Sequence, residues 1–409
     1  MPAFSIPLTG LAANSVALNT IGNNLANLNT TGYKKENANF ADLYYENIGT
    51  TGSNSPVQVG FGTRVSSIDT DFVQGNIDPT NSATDMAING NGFFVVQNRG
   101  VQQLTRTGNF SLDAGGNLIT SDGQNVMGYP ANGTSANTNS SLVLLKVPVG
   151  STQTPHATSN FSITGGLDSS AAVGSTPFSR TQAMYDSLGQ EHEVTMTFTK
   201  TAANQWNYSF SLPSGENATS ANTTGTLTFN TDGTLASPSS NISGISFGGM
   251  TDGSADIALT WQLRDSAGKG LITQGASTSS VNASTQDGYA AGNYTGFSVD
   301  ANGVLSAKYS NNQTEVVGEI ALATVANPSG LTRNGENTYV ASSASGLVTI
   351  GAANTGGRGQ IVGSALEGSN VDISTEFADL IVAQRSFEAN SKTVTAFDTI
   401  TQDTISMLR

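Results

Sequence analysis

A seven-residue apolar repeat at each end of the chain constrains its fold more than any other feature. Near the N-terminus the repeat fills two helical positions with aliphatic side chains, which are Leu11, Leu18 and Leu25 in one position and Ile21 and Leu28 in the other. This spacing is typical of the narrow a/d seam of a helix that packs against another helix. A turn-like segment with a glycine, Asn29–Tyr33, follows the repeat. We therefore predict a helix from about Ile6 to Asn29.

The C-terminal repeat is longer and less regular. One heptad position is apolar at Ile373, Leu380, Phe387 and Val394. The companion position is apolar at Phe377 and Ile405 but polar at Gln384, Ser391 and Asp398. Since seams this narrow are marginal in water, we predict that the two terminal helices pack on each other and on the helices of other copies.

The start of the C-terminal helix has its own signals. Ser369–Asp372 has the spacing of a capping box, and the acidic side chains of Asp372 and Glu376 suit the positive end of a helix dipole. Neither glycine nor proline follows Gly368. We therefore predict one helix from about Asn370 to Met407.

Between the two helices, apolar and polar side chains alternate as they do in β-strands. The alternation is strict over Glu193–Thr199 and Ala255–Leu263, and an Asn-Gly pair within Met86–Gln97 predicts a hairpin. Stretches rich in Gly, Ser, Thr and Asn at 49–56, 131–141 and 150–155 predict joints between domains.

These patterns predict a multidomain α+β protein, with a terminal α-helical coiled-coil pair and two nested all-β domains. In the predicted division, residues 1–30 and 365–409 form the terminal helical core domain and 31–75 an extended linker. Residues 76–148 and 286–364 form the first β domain, and 149–285 form an outer β domain inserted into it.

The composition argues against several functional classes. The 409 residues include 16 Lys and Arg against 30 Asp and Glu, and the net charge of −14 argues against a nucleic-acid partner. Without cysteine the chain has no disulfide, no thiol nucleophile and no thiolate ligand for a metal. No run approaches the ~18 apolar residues of a membrane span, so we expect no membrane insertion. The first residues lack the features of a secretory signal, so we expect a cytosolic protein or export by a route that reads no such signal.

Two glycine motifs resemble catalytic or cofactor sites but lack the required partners. Gly244–Gly248 matches a nucleophile elbow around Ser246, yet the elbow needs a later histidine and both histidines precede this serine. Gly90 and Gly92 resemble the start of a dinucleotide loop, but the third glycine is missing and a strand follows. We therefore predict no catalytic residue, no cofactor and no enzymatic activity.

The acidic residues near His192 and in two turns do not predict a metal site. Glu191 and Glu193 flank His192 on a strand, so their side chains point to the opposite face from the imidazole. The turns at Asp113 and Asp300 lack the ligand count of a Ca²⁺ loop, and turn formation accounts for both aspartates. We therefore predict no metal ligand.

Both ends also carry long motifs that are similar to those of a known family. The N-terminal motif, GNNLANLNTTGYK at 22–34, contains Asn23, Asn24, Asn27, Asn29, Gly32 and Tyr33. The C-terminal motif, SNVDISTEFADLIVAQRSFEAN at 369–390, contains Gln384, Arg385 and Asn390. With interior segments such as Tyr185–Gly189, they resemble the bacterial flagellar axial proteins, and among these most closely the hook proteins.

The resemblance implies a structural subunit that forms a homo-polymer, a flexible tube acting as a universal joint between rod and filament. It implies that the two helical seams and the asparagine-rich motif serve self-assembly. Implied partners are the flagellar rod, the hook cap, the hook-associated proteins and the type III export apparatus, and the implied location is the extracellular hook. Distal rod and hook-associated proteins of the same family remain alternatives. An extracellular β-rich adhesin, a different class, would instead predict a groove of clustered carboxylates and aromatic side chains.

Overall fold

The computed structural model describes residues 5–50 and 56–407. Within these residues the chain has one long helix near each end and many short β-strands between them. The chain divides into two compact units. Unit 1 contains the described residues up to Val149, Gly296–Ala307 and the described residues from Thr314 onward. Unit 2 contains Gly150–Thr295 and Lys308–Gln313.

Unit 1 begins with helix α1 (Ser5–Ala26) and continues into short strands. These strands are β1 (Glu36–Asp42), β2 (Tyr45–Thr50), β3 (Pro56–Gly60), β4 (Thr63–Thr70), β5 (Ile77–Pro79), β6 (Met86–Asn89), β7 (Phe93–Asn98), β8 (Val101–Thr105), β9 (Ser111–Leu112), β10 (Leu118–Ile119), β11 (Asn125–Asn132), β12 (Ser135–Ala136) and β13 (Val143–Leu144). Strand β1 pairs with β4 and β2 pairs with β3, both antiparallel.

Unit 2 consists mainly of two sheets. Its strands are β14 (Thr152–Gln153), β15 (Asn160–Asp168), β16 (Phe178–Tyr185), β17 (Glu191–Ala202), β18 (Gln205–Ser211), β19 (Thr219–Ala221), β20 (Thr224–Phe229), β21 (Leu235–Ser237), β22 (Ile242–Gly248), β23 (Ile257–Gln262), β24 (Ile272–Gly275) and β25 (Ser280–Gln286). One sheet has the order β19-β22-β23-β15-β24, with β25 also on β15, and the other has the order β16-β17-β18-β20-β21.

The two sheets of unit 2 share a hydrophobic core. Its centre is the fully buried Trp261, whose ring centroid lies 5.2 Å from those of Tyr208 and Phe210 and 6.1 Å from that of Phe198. Alternate residues of β17 and β23 are buried, as the alternation in the sequence predicts, because successive strand residues face opposite sides of a sheet.

Two further strands, β26 (Gly292–Val299) and β27 (Val304–Tyr309), belong partly to each unit. Unit 1 then continues with β28 (Thr314–Thr324), a 3₁₀ turn (Pro328–Gly330), β29 (Thr332–Gly335), β30 (Thr338–Val340), β31 (Thr349–Ala352), β32 (Gln360–Gly363), β33 (Ala365–Glu367) and helix α2 (Ile373–Met407). Its sheet follows the order β28-β11-β7-β8-β30-β29. Strand β32 pairs with β6 and β33 with β5, so the segment that leads into α2 lies beside residues 77–89.

Both predicted helices are present, with shifted ends. Helix α1 ends at Ala26 and not at Asn29, because hydrogen-bonded turns occupy the following residues. Helix α2 begins at Ile373 and not at Asn370. The Asp372 carboxylate, and not the Ser369 hydroxyl, accepts the hydrogen bond of a first-turn amide, that of Thr375, at 2.7 Å.

The predicted hairpin over Met86–Gln97 is wrong. Strand β6 pairs with β32, whereas β7 pairs with β8, β11 and β28. Gly90 and Gly92 have φ angles of +109° and +131°, a backbone region open mainly to glycine, and they direct the chain from one pairing to the other.

The region 31–75, predicted as an extended linker, contains the antiparallel strands β1 to β4. Most of the flexible stretch predicted at 49–56 lies outside the described residues. The prediction that Asp113 and Asp300 form turns is confirmed. Each aspartate accepts two backbone N–H groups of its own turn through Oδ1.

Candidate functional site

Helices α1 and α2 contact each other through small and polar side chains. The side chains of α1 that are nine-tenths covered or more include Ala13, Thr20 and Asn24, and those of α2 are Glu376 and Ala383. Gly10 allows α2 to approach closely, because a Cβ at this position would lie 2.9 Å from the amide group of Asn390. The most buried side chains of the described helix contact are therefore small or polar, and the large apolar residues of the predicted seams are covered only in part.

The predicted seam residues are only partly covered. On α1 and just beyond it, Leu11, Leu18, Ile21, Leu25 and Leu28 are half-buried. On α2, Leu380, Asn390 and Val394 are half-buried, and Gln384 and Arg385 are exposed. Ile373, Phe377 and Phe387 retain 46%, 49% and 38% of their exposure. The buried residues of α2 in the single subunit, Glu376 and Ala383, lie one residue before Phe377 and Gln384 of the predicted companion position.

This one-residue shift leaves apolar side chains on both flanks of the buried position. Successive helical residues are rotated by about 100°. Phe377 follows the buried Glu376 and so lies on one flank, whereas Val382 precedes the buried Ala383 and lies on the other. Ile381 extends the first flank, and Ile400, five turns after Val382, extends the second. Val382, Ile381 and Ile400 are 64%, 54% and 60% exposed.

Strands β1 to β4 and the turns between them also expose large apolar residues. These are Phe40, Leu43, Tyr44, Tyr45, Val57, Val59 and Ile68. Large exposed apolar side chains concentrated in one short region are typical of an interaction surface.

Asn24 joins α1 to the start of β1 and to α2. Its amide nitrogen donates to the Glu36 carbonyl oxygen at 2.8 Å and to Glu376 Oε2 at 3.2 Å. Its oxygen accepts the Glu36 N–H at 2.9 Å and the Tyr33 hydroxyl at 3.2 Å. Asn24 is 1% exposed and uses two donor and two acceptor sites, which fixes its orientation. Glu376, predicted to serve the helix dipole, is thus a buried partner of the asparagine motif.

The other motif residues shape the turn after α1. Asn23 donates to the Tyr33 hydroxyl oxygen at 3.2 Å, and Asn27 donates to the Asn23 carbonyl oxygen at 2.9 Å. Asn29 is exposed. Gly32 has φ +66°, and a Cβ there would lie 2.8 Å from the carbonyl carbon of Arg106, so both conformation and space require glycine.

A cluster of buried charges lies directly after this turn. Lys34 Nζ lies 2.6 Å from Glu367 Oε1, and Arg106 Nη1 lies 3.2 Å from Glu367 Oε2. The side chains of Lys34 and Glu367 are fully buried and that of Arg106 is 4% exposed. Burial lowers the pKa of Lys34, and the charge of Glu367 opposes that shift. The cluster connects the end of the N-terminal motif to the strand that leads into α2.

Two further side chains act together with Asn24 and the charge cluster, and we call this whole set of contacts the junction. Arg333 donates to the Lys34 carbonyl oxygen at 2.6 Å and forms an ion pair with Glu36 at 3.0 Å. Asn370 accepts the Lys35 N–H at 2.8 Å and donates to the Asp71 carbonyl oxygen at 2.8 Å. The junction therefore holds the start of β1 and the segment before α2 together by polar contacts.

Sequence reasoning did not identify Arg106, Arg333 and Glu367 as part of this junction. The composition offered one indication, because only 11% of the residues are charged and any single charged residue is therefore a candidate for a specific role. Their partners, however, lie far away along the chain. Lys34 and Glu367 are separated by 333 residues, and no local pattern pairs them.

Within the described residues, neither helix is long and apolar enough to serve as a membrane span.

Comparisons with known proteins find similar families along most of the chain. Family models match at 7–34 (flagella basal body rod protein), 87–165 (flagellar hook protein FlgE/F/G D1 domain), 167–289 (flagellar basal body protein FlaE D2 domain) and 362–407 (flagellar basal body rod FlgEFG protein C-terminal). The first and last of these matches cover the two terminal motifs.

Full-length relatives are also found. The flagellar hook protein FlgE of Escherichia coli is 32% identical over 97% of this chain and 98% of its own length. That of Treponema pallidum is 31% identical over 98% of both chains. The crystal structure of Helicobacter pylori flagellar hook protein FlgE2 aligns with a TM-score of 0.56 at 16% identity, covering 71% of this chain and all of that one. At 16% identity, this structural similarity shows a shared fold alone.

Proposed function

Because this chain belongs to the flagellar hook protein family, whose members are structural subunits and not enzymes, we propose that its terminal helices build the inner wall of the hook tube. The observation that carries the proposal is the apolar surface on both flanks of α2. Phe377 and Ile381 lie on one flank and Val382 and Ile400 on the other, and these side chains stay 49%, 54%, 64% and 60% exposed among the described residues of one subunit. Helices of neighbouring subunits would cover both flanks, in the manner of a coiled-coil bundle.

The remaining layers of the proposed tube follow the order of the chain. The terminal helical core of residues 1–30 and 365–409 is innermost. The region 31–75 and the first β domain (76–148 and 286–364) form the middle layer. The inserted β domain (149–285) is outermost. The exposed apolar residues of β1 to β4 support a contact between subunits in the middle layer.

The charged junction would give the helices a fixed direction relative to the middle layer. Lys34, Arg106 and Glu367 are buried in one cluster, and Asn24 uses two donors and two acceptors. Buried polar groups of this kind are costly to separate, so the junction resists bending. Torque applied to the helices would therefore be transmitted to the β region, as a universal joint between rod and filament requires.

The proposed partners and location follow from membership of the family. We infer that the subunit is exported by the flagellar type III apparatus, assembles outside the cell under the hook cap, and contacts the rod at one end and hook-associated proteins at the other. A distal rod or hook-associated role is less consistent with the comparisons, because the relatives that align over 98% of their own length are named flagellar hook proteins.

Charge substitutions on α2 test the proposal. Phe377→Glu and Val382→Glu each place a carboxylate on one flank, and Ser374→Glu places the same group on the exposed face between the flanks, as a matched control. We expect both flank variants to remain folded monomers, because these side chains are about half exposed or more, but to lose polymerisation in vitro and motility in complemented cells. The control should assemble.

Two results would contradict the proposal. One is normal tubes from Phe377→Glu and Val382→Glu under electron microscopy. The other is equal loss of assembly by the Ser374→Glu control, since that would make any added charge on α2 sufficient. Circular dichroism of the monomers separates failed assembly from failed folding.

A further inference from the structure

A cluster of titratable side chains in unit 2 surrounds His192. Glu191 and Glu193 point away from this histidine, as strand alternation predicts, since both are exposed and His192 is buried. Carboxylates from elsewhere in the unit approach it instead. Asp186 Oδ2 lies 3.2 Å and Asp252 Oδ2 lies 3.5 Å from His192 Nε2. None of these groups takes part in the proposed assembly.

The other ring nitrogen of His192 has a different partner. Nδ1 lies 2.9 Å from Glu216 Oε2. If Nδ1 carries the proton and donates it to Glu216, the Nε2 lone pair points toward the two aspartates. A histidine that binds a metal through one nitrogen commonly donates its other N–H to a carboxylate in this way.

Each aspartate presents one oxygen to Nε2 because its other oxygen is already used. Asp186 Oδ1 accepts the N–H groups of Leu188 and Gln190, both at 2.8 Å. Asp252 Oδ1 accepts the N–H of Ser254 at 3.0 Å. These turns hold both Oδ2 atoms in place without help from the histidine.

The distances from His192 Nε2 to the two carboxylate oxygens fit a tetrahedral cation. His192 Nε2, Asp186 Oδ2 and Asp252 Oδ2 all lie within 4.8 Å of one another. Two ligands bound at the zinc distances of about 2.0–2.1 Å in a tetrahedron are about 3.3 Å apart. The separations of 3.2 Å and 3.5 Å from Nε2 are close to that value.

The charge of the cluster also favours a cation. Among the described residues, every charged group within ion-pair distance of His192 is a carboxylate, from Asp186, Glu216 or Asp252. Asp186 is fully buried, whereas the side chains of Glu216 and Asp252 are 36% and 30% exposed, so solvent reaches one side. A cation can enter there and keep a water molecule as its fourth ligand.

We propose that His192 Nε2, Asp186 Oδ2 and Asp252 Oδ2 bind one divalent cation of the Zn²⁺ class, with Glu216 as the residue that orients the imidazole. One nitrogen and two oxygen ligands suit a borderline transition-metal ion better than Ca²⁺, which takes six to eight oxygens. Bound there, the cation connects strand β17, the turn after β16 and the loop between β22 and β23, and so stabilises unit 2.

The test uses the untagged, full-length chain after removal of metal with a chelator. Equilibrium dialysis against ZnCl₂, with metal counted by mass spectrometry, should give one bound Zn²⁺ per chain. CaCl₂ at the same concentration should compete weakly. Tryptophan fluorescence reports on unit 2, since Trp206 and Trp261 both lie there, and its melting temperature should rise when Zn²⁺ is added.

Variants identify the ligands. Asp252→Asn keeps the side-chain oxygen that caps Ser254 and should weaken Zn²⁺ binding at least about tenfold, and Glu216→Leu should weaken it about 10- to 100-fold. His156→Gln, which removes the only other histidine of the chain, should bind as the wild type does. Because Asp252 and Glu216 are partly exposed, these two variants keep their fold even if His192→Gln does not.

Three results would overturn the proposal. The first is an absence of saturable Zn²⁺ binding, in which case the cluster is a protonated imidazole paired with carboxylates. The second is equal affinity in Asp252→Asn and wild type, which would indicate adventitious binding elsewhere. The third is Ca²⁺ binding as tight as Zn²⁺ binding.

Discussion

Replacement of Glu367 by glutamine tests whether the buried charge cluster holds unit 1 together. The carboxylate accepts Lys34 Nζ at 2.6 Å, the Gly75 N–H at 3.0 Å and Arg106 Nη1 at 3.2 Å. Glutamine keeps the volume but removes the negative charge, so two cations remain buried without a counter-charge. Breaking a buried ion pair in this way costs about 3–5 kcal/mol.

The net charge of the cluster predicts an order among variants. Two cations and one anion give +1, so Lys34→Met leaves the neutral Arg106–Glu367 pair. The Val73 carbonyl oxygen, which Lys34 also contacts at 2.8 Å, still accepts Asn370 Nδ2 at 3.0 Å. We therefore expect Lys34→Met to cost only about 1–3 kcal/mol, less than Glu367→Gln.

Urea unfolding of the monomer followed by two signals measures these costs. Far-UV circular dichroism reports on both units, whereas fluorescence reports on unit 2 alone, because both tryptophans, Trp206 and Trp261, lie there. The fluorescence transition should not move and serves as an internal reference. As a matched control, Glu388→Gln on the exposed surface of α2 should change the stability by no more than about 0.5 kcal/mol.

A cost below about 1 kcal/mol for Glu367→Gln would refute the reasoning, since it would show that the buried cations do not depend on this carboxylate. So would a larger cost for Lys34→Met than for Glu367→Gln.

Two further predictions concern unit 1. Gly32→Ala places a side chain at a φ of +66° and against the Arg106 backbone, so it should lower the free energy of unfolding by roughly 2–4 kcal/mol. Gly22 is an open helical position in the same motif, so the control Gly22→Ala should raise the free energy of unfolding by about 0.5–1 kcal/mol. Similar urea midpoints for the two variants would contradict this prediction. Burial and then the charge of Asp300 raise the pKa of Glu319, so its contribution to stability is full below about pH 4 and is lost as pH rises through the raised pKa. Glu319→Gln should therefore be more stable than wild type at pH 7 but not at pH 3.5, and an equal difference at both pH values would argue against this sign.

The sequence predicts well those parts of the fold that local patterns determine. Alternation identifies β17 and β23, and the aspartates at 113 and 300 form their turns, because each depends on residues within a few positions. The hairpin prediction at Met86–Gln97 fails because strand pairing depends on a distant partner, β32, which no local pattern reveals.

The helix contact shows a second limit of sequence reasoning. The heptad pattern selects large apolar residues, whereas the described contact uses Gly10, Ala13 and Ala383, whose small side chains let the helices approach. Phe377 of the predicted seam therefore stays 49% exposed in the single subunit. Likewise, Asn24 belongs to a recognisable motif, but its bond to Glu376 spans 352 residues and is visible only in the structure.

The two apolar flanks of α2 also constrain the symmetry of the assembly. A two-fold dimer is isologous, so it brings the same patch of both subunits together and covers only one flank. Phe377 and Val382 lie on opposite flanks of the buried position, and the surfaces around them differ in sequence. To cover both flanks of α2, one flank of a subunit must contact a different surface of the next subunit. That surface is either the opposite flank of α2 or helix α1. Such heterologous contacts produce rings if the rotation closes and helical filaments if it does not. A variant altered only at Phe377 should therefore stop growth altogether and not accumulate dimers, and a stable dimer of Phe377→Glu in sedimentation experiments would contradict this argument.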